Sequence, residues 1–390
     1  MTEKLVHDVT DYFVERAPGV YLHAEFGLPR RTMFMTGVPA FLGLAPLHGR
    51  TSGPVMLTLW AHFRRYVGEP TQDNHLSYAV RGFFENGGQR CYVVSLLSGT
   101  ARSLQAGLDS VADLNTVDLV CAPDVVGNHD LTLNLQQLVV DHCQTAGDRF
   151  AILDTRRGDD SDNVVRQWSE IDGYNGAIYH PWIKVRGFHG GIVTVPPCGH
   201  IAGVYARTDY NRGVHKAPAN EVLEGVLDLD VHLNGTSQVS LNKNRVNCLR
   251  SFPRRGIRVW GARTLSGQDA WTYVNVRRLF LTAVRWIDWH MQDVVFEPND
   301  RALWKRIERE LNTYFYDLYR SGALKGDTPQ EAFYVKCNEE TNTPEMRDLG
   351  EVVAEIGLAP ANPYEFVIVR LIRGPRGVRI SEPSKPAQNL

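Results

Sequence analysis

Between residues 89 and 182 the sequence repeats one pattern, a short apolar run followed by a longer amphipathic stretch. The apolar runs are QRCYVVSLL, VDLVCAP, RFAILD and GAIYHPW; between them lie RSLQAGLDSVADL, LTLNLQQLVVDHCQTAG and SDNVVRQWSEI. Runs rich in β-branched and aromatic residues read as strands covered on both faces, and the spacing between them suits helices with one buried side. Repeated strand and helix units dictate an α/β domain, a parallel sheet with helices packed on its faces.

Either side of this region the pattern differs. APGVYLHAEF alternates Val20, Leu22, Ala24 and Phe26 against Tyr21, His23 and Glu25, the period of an extended strand arm. TLWAHFRRYVG and NHLSYAVRGFFENGG read as helices, the second capped by Asn74 and stopped at Asn86-Gly87-Gly88. Beyond GIRVWGARTLSG a long helix is expected over 270–291, then a strand, DVVFEP, and a second long helix from Asn299-Asp300 to Ser321-Gly322. Strands EAFYVKC, GEVVAEIGLAP and EFVIVRLI follow. Helices succeeded by strands mark a separate α+β unit. The expected divisions are an arm over 1–26, an α/β domain over 27–265, an α+β domain over 266–362, and a terminal strand with its tail over 363–390.

The terminal run, NPYEFVIVRLIRGPRG, poses a question of its own. Exposing roughly six large apolar side chains would forfeit on the order of 10 kcal/mol. The strand therefore needs a partner, in its own chain or in a neighbouring copy.

Chemistry is harder to find. Asp154, His189 or His200, and Ser237 fall in the chain order of subtilisin-like hydrolases, but Ser237 in NGTSQ reads as a turn, without the elbow that presents a nucleophile. ENGGQR and RGFHGG form neither of the usual phosphate-binding glycine patterns. The 6 cysteines are scattered and the 13 histidines dispersed, so neither a disulfide frame nor a metal site is expected. With 42 Lys plus Arg against 44 Asp plus Glu, basic runs such as RRGIR and RLIRGPRG read as solvated faces or protein interfaces rather than nucleic-acid contacts. The N-terminus lacks a signal-peptide core and no stretch approaches a membrane span, so cytosolic folding is expected. No catalytic residue, metal or cofactor is expected. A hydrolase acting through Ser237 and a non-contractile adaptor or assembly protein stand as the rival readings.

Several blocks resemble the contractile tail sheath family of phages, R-type pyocins and contractile injection systems. They are APGVY at 17–21, TGVPAFLG at 36–43, AVRGFFENGGQRCYVV at 79–94, HIAGVYARTD, RGVHKAPAN, GIRVWGARTLS at 256–266, YVNVRRL at 273–279, VVFEPND, SGALKGDTPQEAFYVKCNEETNT at 321–343 and IGLAPANPYEFVIVRL at 356–371. The resemblance implies an outer subtilisin-like α/β domain and a C-terminal α+β sheath domain with exchanged terminal strands. Val20, Tyr21, Leu22 and Phe26 of one arm, and Phe366, Val367, Ile368, Val369 and Leu371 of the other, would add to sheets of neighbouring copies. It also implies a helical homo-oligomer around an inner tube protein, with baseplate and terminal cap proteins as further partners. Neither nucleic acid nor direct membrane insertion is implied, and the particle would assemble in the cytoplasm. Within CNEETNTPE, Glu339, Glu340 and Glu345 are expected by their charge to face the tube; a plain turn with Thr343 capping a short helix is the alternative.

Overall fold

A computed structural model describes residues 34–44, 53–127, 131–294, 296–361, 367–374 and 377–381. Among the described residues eleven strands precede the C-terminal region: β1 Pro39–Leu44, β2 Val55–Leu57, β3 Cys91–Leu96, β4 Leu119–Cys121, β5 Phe150–Asp154, β6 Gly176–His180, β7 Ile183–Arg186, β8 Ile192–Val195, β9 Val226–Leu229, β10 Val246–Phe252 and β11 Gly256–Trp260. Eight of them form one sheet in the order β11-β10-β6-β5-β4-β1-β3-β2. The six inner strands are parallel, as the sequence pattern requires, and the two edge strands are antiparallel. A small sheet, β8-β7-β9, stands apart.

Strand alternation sends neighbouring residues to opposite helical layers. Phe41, Val93, Ile152 and Tyr179 pack with the helices Trp60–Tyr66, His75–Glu85 and Cys198–Arg212. Leu42, Val94, Leu153 and Ile178 pack with Ala101–Ser110, Thr132–Ala146, Ser161–Ser169 and Gly235–Lys243. Helix starts are set by side chains: Asn74 Oδ1 accepts from Ser77 N at 2.7 Å, and Asp160 Oδ1 from Asn163 N at 2.9 Å. Glycine sets one helix crossing, since a Cβ on Gly199 would lie 2.2 Å from the Ala79 carbonyl oxygen.

The C-terminal region packs helices Val274–His290 and Arg301–Arg320 against a sheet of β12 Phe333–Lys336, β13 Val352–Leu358, β14 Val367–Gly374 and β15 Gly377–Ser381. These strands are antiparallel in sequence order. Trp304, Phe315 and Ile356 belong to its core.

Three local expectations are corrected. The described residues of DVVFEP form no strand: Gln292–Val294 is a 3-10 turn in which Val294 N bonds Met291 O, and beyond it Glu297 N bonds Val294 O. The long helix starts at Val274, after a separate 3-10 turn at Asp269–Trp271. Ser237 lies in the helix Gly235–Lys243, not in a turn, because Asn234 caps that helix by accepting from Ser237 N at 2.7 Å.

Candidate functional site

In a parallel sheet the crevice at the carboxyl ends of the strands is the usual place for a ligand. Here polar groups of the described residues at that end bond to one another. After β4, buried Asp124 accepts from Leu44 N at 2.8 Å, and burial pushes its carboxyl up to about 7. The Asn74 amide donates to Leu44 O at 2.6 Å. At the end of β5, Asp154 accepts from Cys198 N at 2.8 Å, at the start of the helix Cys198–Arg212; burial pushes it, too, up to about 7. His180 bonds Thr155 through Nδ1 at 2.9 Å, and Trp182 Nε1 donates to Thr155 O at 2.6 Å. The polar groups are spent on one another.

The hydrolase arrangement does not come together. His200 is buried against Gly82, its pKa pushed down to about 3 by burial and then by Arg81, and neither ring nitrogen has a hydrogen-bond partner. His189 is exposed. Among the described residues no hydrogen bond joins Ser237 to Asp154, His189 or His200, and no group of residues is arranged to hold a metal.

The acidic loop is paired within its own surface. Glu339 bonds the Arg301 guanidinium, and Glu340 bonds Lys336. Glu345 sits in the first turn of the helix Pro344–Asp348, where the Thr343 side chain holds its carboxyl below the usual range. Sequence reading passed over the neighbouring helix. Along Arg301–Arg320 the exposed residues Arg301, Lys305, Arg309, Tyr316 and Arg320 recur at helical spacing, a largely basic stripe visible in RALWKRIERELNTYFYDLYR.

The terminal strand has a partner in its own chain. β14 pairs along its length with β13, with Leu358 opposite Val367, Gly357 opposite Ile368, Ile356 opposite Val369 and Ala354 opposite Leu371. Export of this strand is therefore not what the isolated chain shows. A single chain offers the strand only its own sheet edge, and antiparallel pairing makes the same bonds in either setting. Val20, Tyr21, Leu22, Phe26 and Phe366 lie outside the described residues.

Comparison with known proteins gives a consistent picture. The phage tail sheath protein central domain matches residues 100–265, and the phage tail sheath C-terminal domain matches 266–372. The tail sheath protein of Salmonella phage ViI is 28% identical over 177 residues, 44% of this chain and 27% of that protein. That of Enterobacteria phage T4 is 24% identical over 73% of this chain and 41% of its own length. The chain thus spans less than half of these curated relatives. Solved structures match it over nearly their full length. A chain of the anti-feeding prophage baseplate is 31% identical with a TM-score of 0.72, covering 91% of this chain and 98% of that one. A chain from the contracted PVC sheath complex, an extracellular contractile injection system, is 29% identical with a TM-score of 0.73, covering 91% and 97%.

Proposed function

The chain belongs to the phage tail sheath family, and we propose that it is a structural subunit that polymerises helically around an inner tube and contracts to drive that tube through a target envelope. The observation that carries this reading is the near-complete structural match to a chain of a contracted sheath. The mutual hydrogen bonding of polar groups at the carboxyl end of the sheet supports a mechanical role. Energy would be stored in the lattice: an extended packing separated by a barrier from a shorter, more stable one needs no nucleotide. The outer domain would be the subtilisin-like α/β unit over 27–265, and the C-terminal unit over 266–362 would line the tube. Baseplate and terminal cap proteins would bound the stack, which would assemble in the cytoplasm.

Strand exchange is part of the same proposal. Two interior neighbours already flank β13, namely β12 and β14, so β14 of one copy can replace β14 of another without altering register. Residues 17–26 of a third copy would add a further strand. The tube-facing surface would carry Glu339, Glu340 and Glu345 beside the basic stripe of Arg301–Arg320, a polar contact that releases without tearing apolar surface from its partner.

Co-expression with the inner tube protein tests the function. Striated cylinders enclosing the tube are expected in electron micrographs; bare tubes beside a monomeric chain would count against it.

A further inference from the structure

Two surfaces of the α/β unit carry charges that their own surroundings penalise. In the β10–β11 hairpin, Arg250 and Arg258 stand directly opposite one another in the antiparallel register, where like charges repel. Arg254 and Arg255 occupy the exposed tip. Among the described residues none of these four arginines is ion-paired to a carboxylate; Arg258 is held instead by the carbonyls of Asn220 and Arg255. Phe252 and Trp260 pack together on the hairpin, ring centroids 4.7 Å apart, with Arg250 5.3 Å from the Phe252 ring. The result is a cationic, aromatic projection at the carboxyl end of the sheet.

The second surface lies at the opposite end of the sheet. The crossover helices Ala101–Ser110 and Thr132–Ala146 run against the strands, so their C-terminal ends lie at the amino end of the sheet. Asp109 sits in the last turn of its helix, where the helix dipole disfavours negative charge, Asp141 sits in the C-terminal half of the other, and neither helix has a basic residue in its last turn. Each carboxylate is held by an amide rather than a cation: Gln105 donates to Asp109 and Gln137 to Asp141, both at 2.8 Å. Gln137 also fixes the backbone of exposed Asp172.

Each patch lacks what the other supplies, and they lie at opposite ends of one body. We propose that the arginine hairpin of one copy docks on the Asp109, Asp141 and Asp172 surface of the next copy. This rests on the sheath reading, which makes a second copy the partner. A head-to-tail contact of this kind joins copy to copy in a ring or an open helical stack, and guanidinium groups suit it because they bind carboxylates in a fixed fork and stack on aromatic rings.

The test uses two full-length variants, Arg254→Glu/Arg255→Glu and Asp109→Lys/Asp141→Lys, with circular dichroism to check folding and sedimentation to measure polymer. Each variant alone should lose about ten-fold or more of the sedimenting fraction, because like charges then face each other. Mixed in equal amounts they should recover it, since alternate copies become complementary, a result that misfolding cannot imitate. Variants that polymerise like wild type, or a mixture that fails to recover, would overturn the contact. Wild-type protein that never sediments would instead overturn the sheath reading, and the contact with it.

Discussion

Arg278 grips the Asp209 carboxylate through two parallel bonds, Nη1 to Oδ1 at 2.9 Å and Nη2 to Oδ2 at 2.5 Å. The same guanidinium reaches Asp118 Oδ2 at 3.1 Å, and Asp118 in turn accepts from the amides of Gly37 and Val38. One side chain thus ties helix Val274–His290 to helix Cys198–Arg212 and to the amino ends of β1 and β4. Burial opposes the Arg278 charge, but Asp209 and then Asp118 outweigh it and raise its pKa. Replacing Arg278 with Met removes the cation from the buried Asp209 carboxylate and leaves Asp118 with Arg285 and two amides, so the expected loss is about 3–5 kcal/mol in chemical denaturation. A loss below about 1 kcal/mol would mean the cluster is not a structural tie.

Gly199 sits where helix Cys198–Arg212 meets the backbone of Ala79. An added Cβ meets fixed backbone atoms rather than a movable side chain. Gly199→Ala should therefore cost about 1–3 kcal/mol despite the better helix propensity of alanine. Gly235→Ala is the control, because a Cβ there meets nothing within 4 Å. Equal melting temperatures for the two variants would contradict the close approach.

Asp154 gives a pH signature. Its folded pKa of about 7 lies above the ordinary 3.8, so the folded state holds a proton that the unfolded state releases. The stability this contributes is complete below about pH 4 and is lost as pH rises toward 7. Asn keeps an oxygen to accept from Cys198 N but cannot titrate. Asp154→Asn should flatten the fall in unfolding free energy between pH 4 and 7 relative to wild type; parallel profiles would show that Asp154 is already ionised in the fold.

At the proposed tube-facing surface, Glu339→Lys/Glu340→Lys places new positive charge beside Arg301 and Lys336, both present partners of these acids. Tube-guided extended particles should become fewer while the monomer stays folded. Unchanged numbers of extended particles in micrographs would remove these acids from the contact.

The sequence displayed the parallel sheet clearly, since Val93, Ile152 and Ile178 sit in continuous apolar runs that only a doubly covered strand explains. Other parts were hidden for physical reasons. Arg278 lies 69 residues from Asp209 and 160 from Asp118, so no local pattern announces their meeting. The helices over YVNVRRL and HIAGVYARTD were legible from their apolar spacing, but not that the first carries Arg278 and the second Asp209, the two ends of the buried ion pair. DVVFEP has the composition of a strand, but among the described residues its amides bond within local turns, so context overrode propensity. At the candidate assembly surfaces, charge was legible residue by residue, while its pairing, as in Glu339 with Arg301, depended on the fold.

A self-assembling sheath subunit whose terminal strand serves the assembly should lose that assembly with the strand. Negative-stain electron microscopy of the purified full-length protein, beside a version ending before Pro363, tests it most directly. Long hollow striated cylinders from the full chain, and small folded particles from the shortened one, are the predicted result. Small particles from both would contradict the claim and leave β14 as a strand that only completes its own sheet.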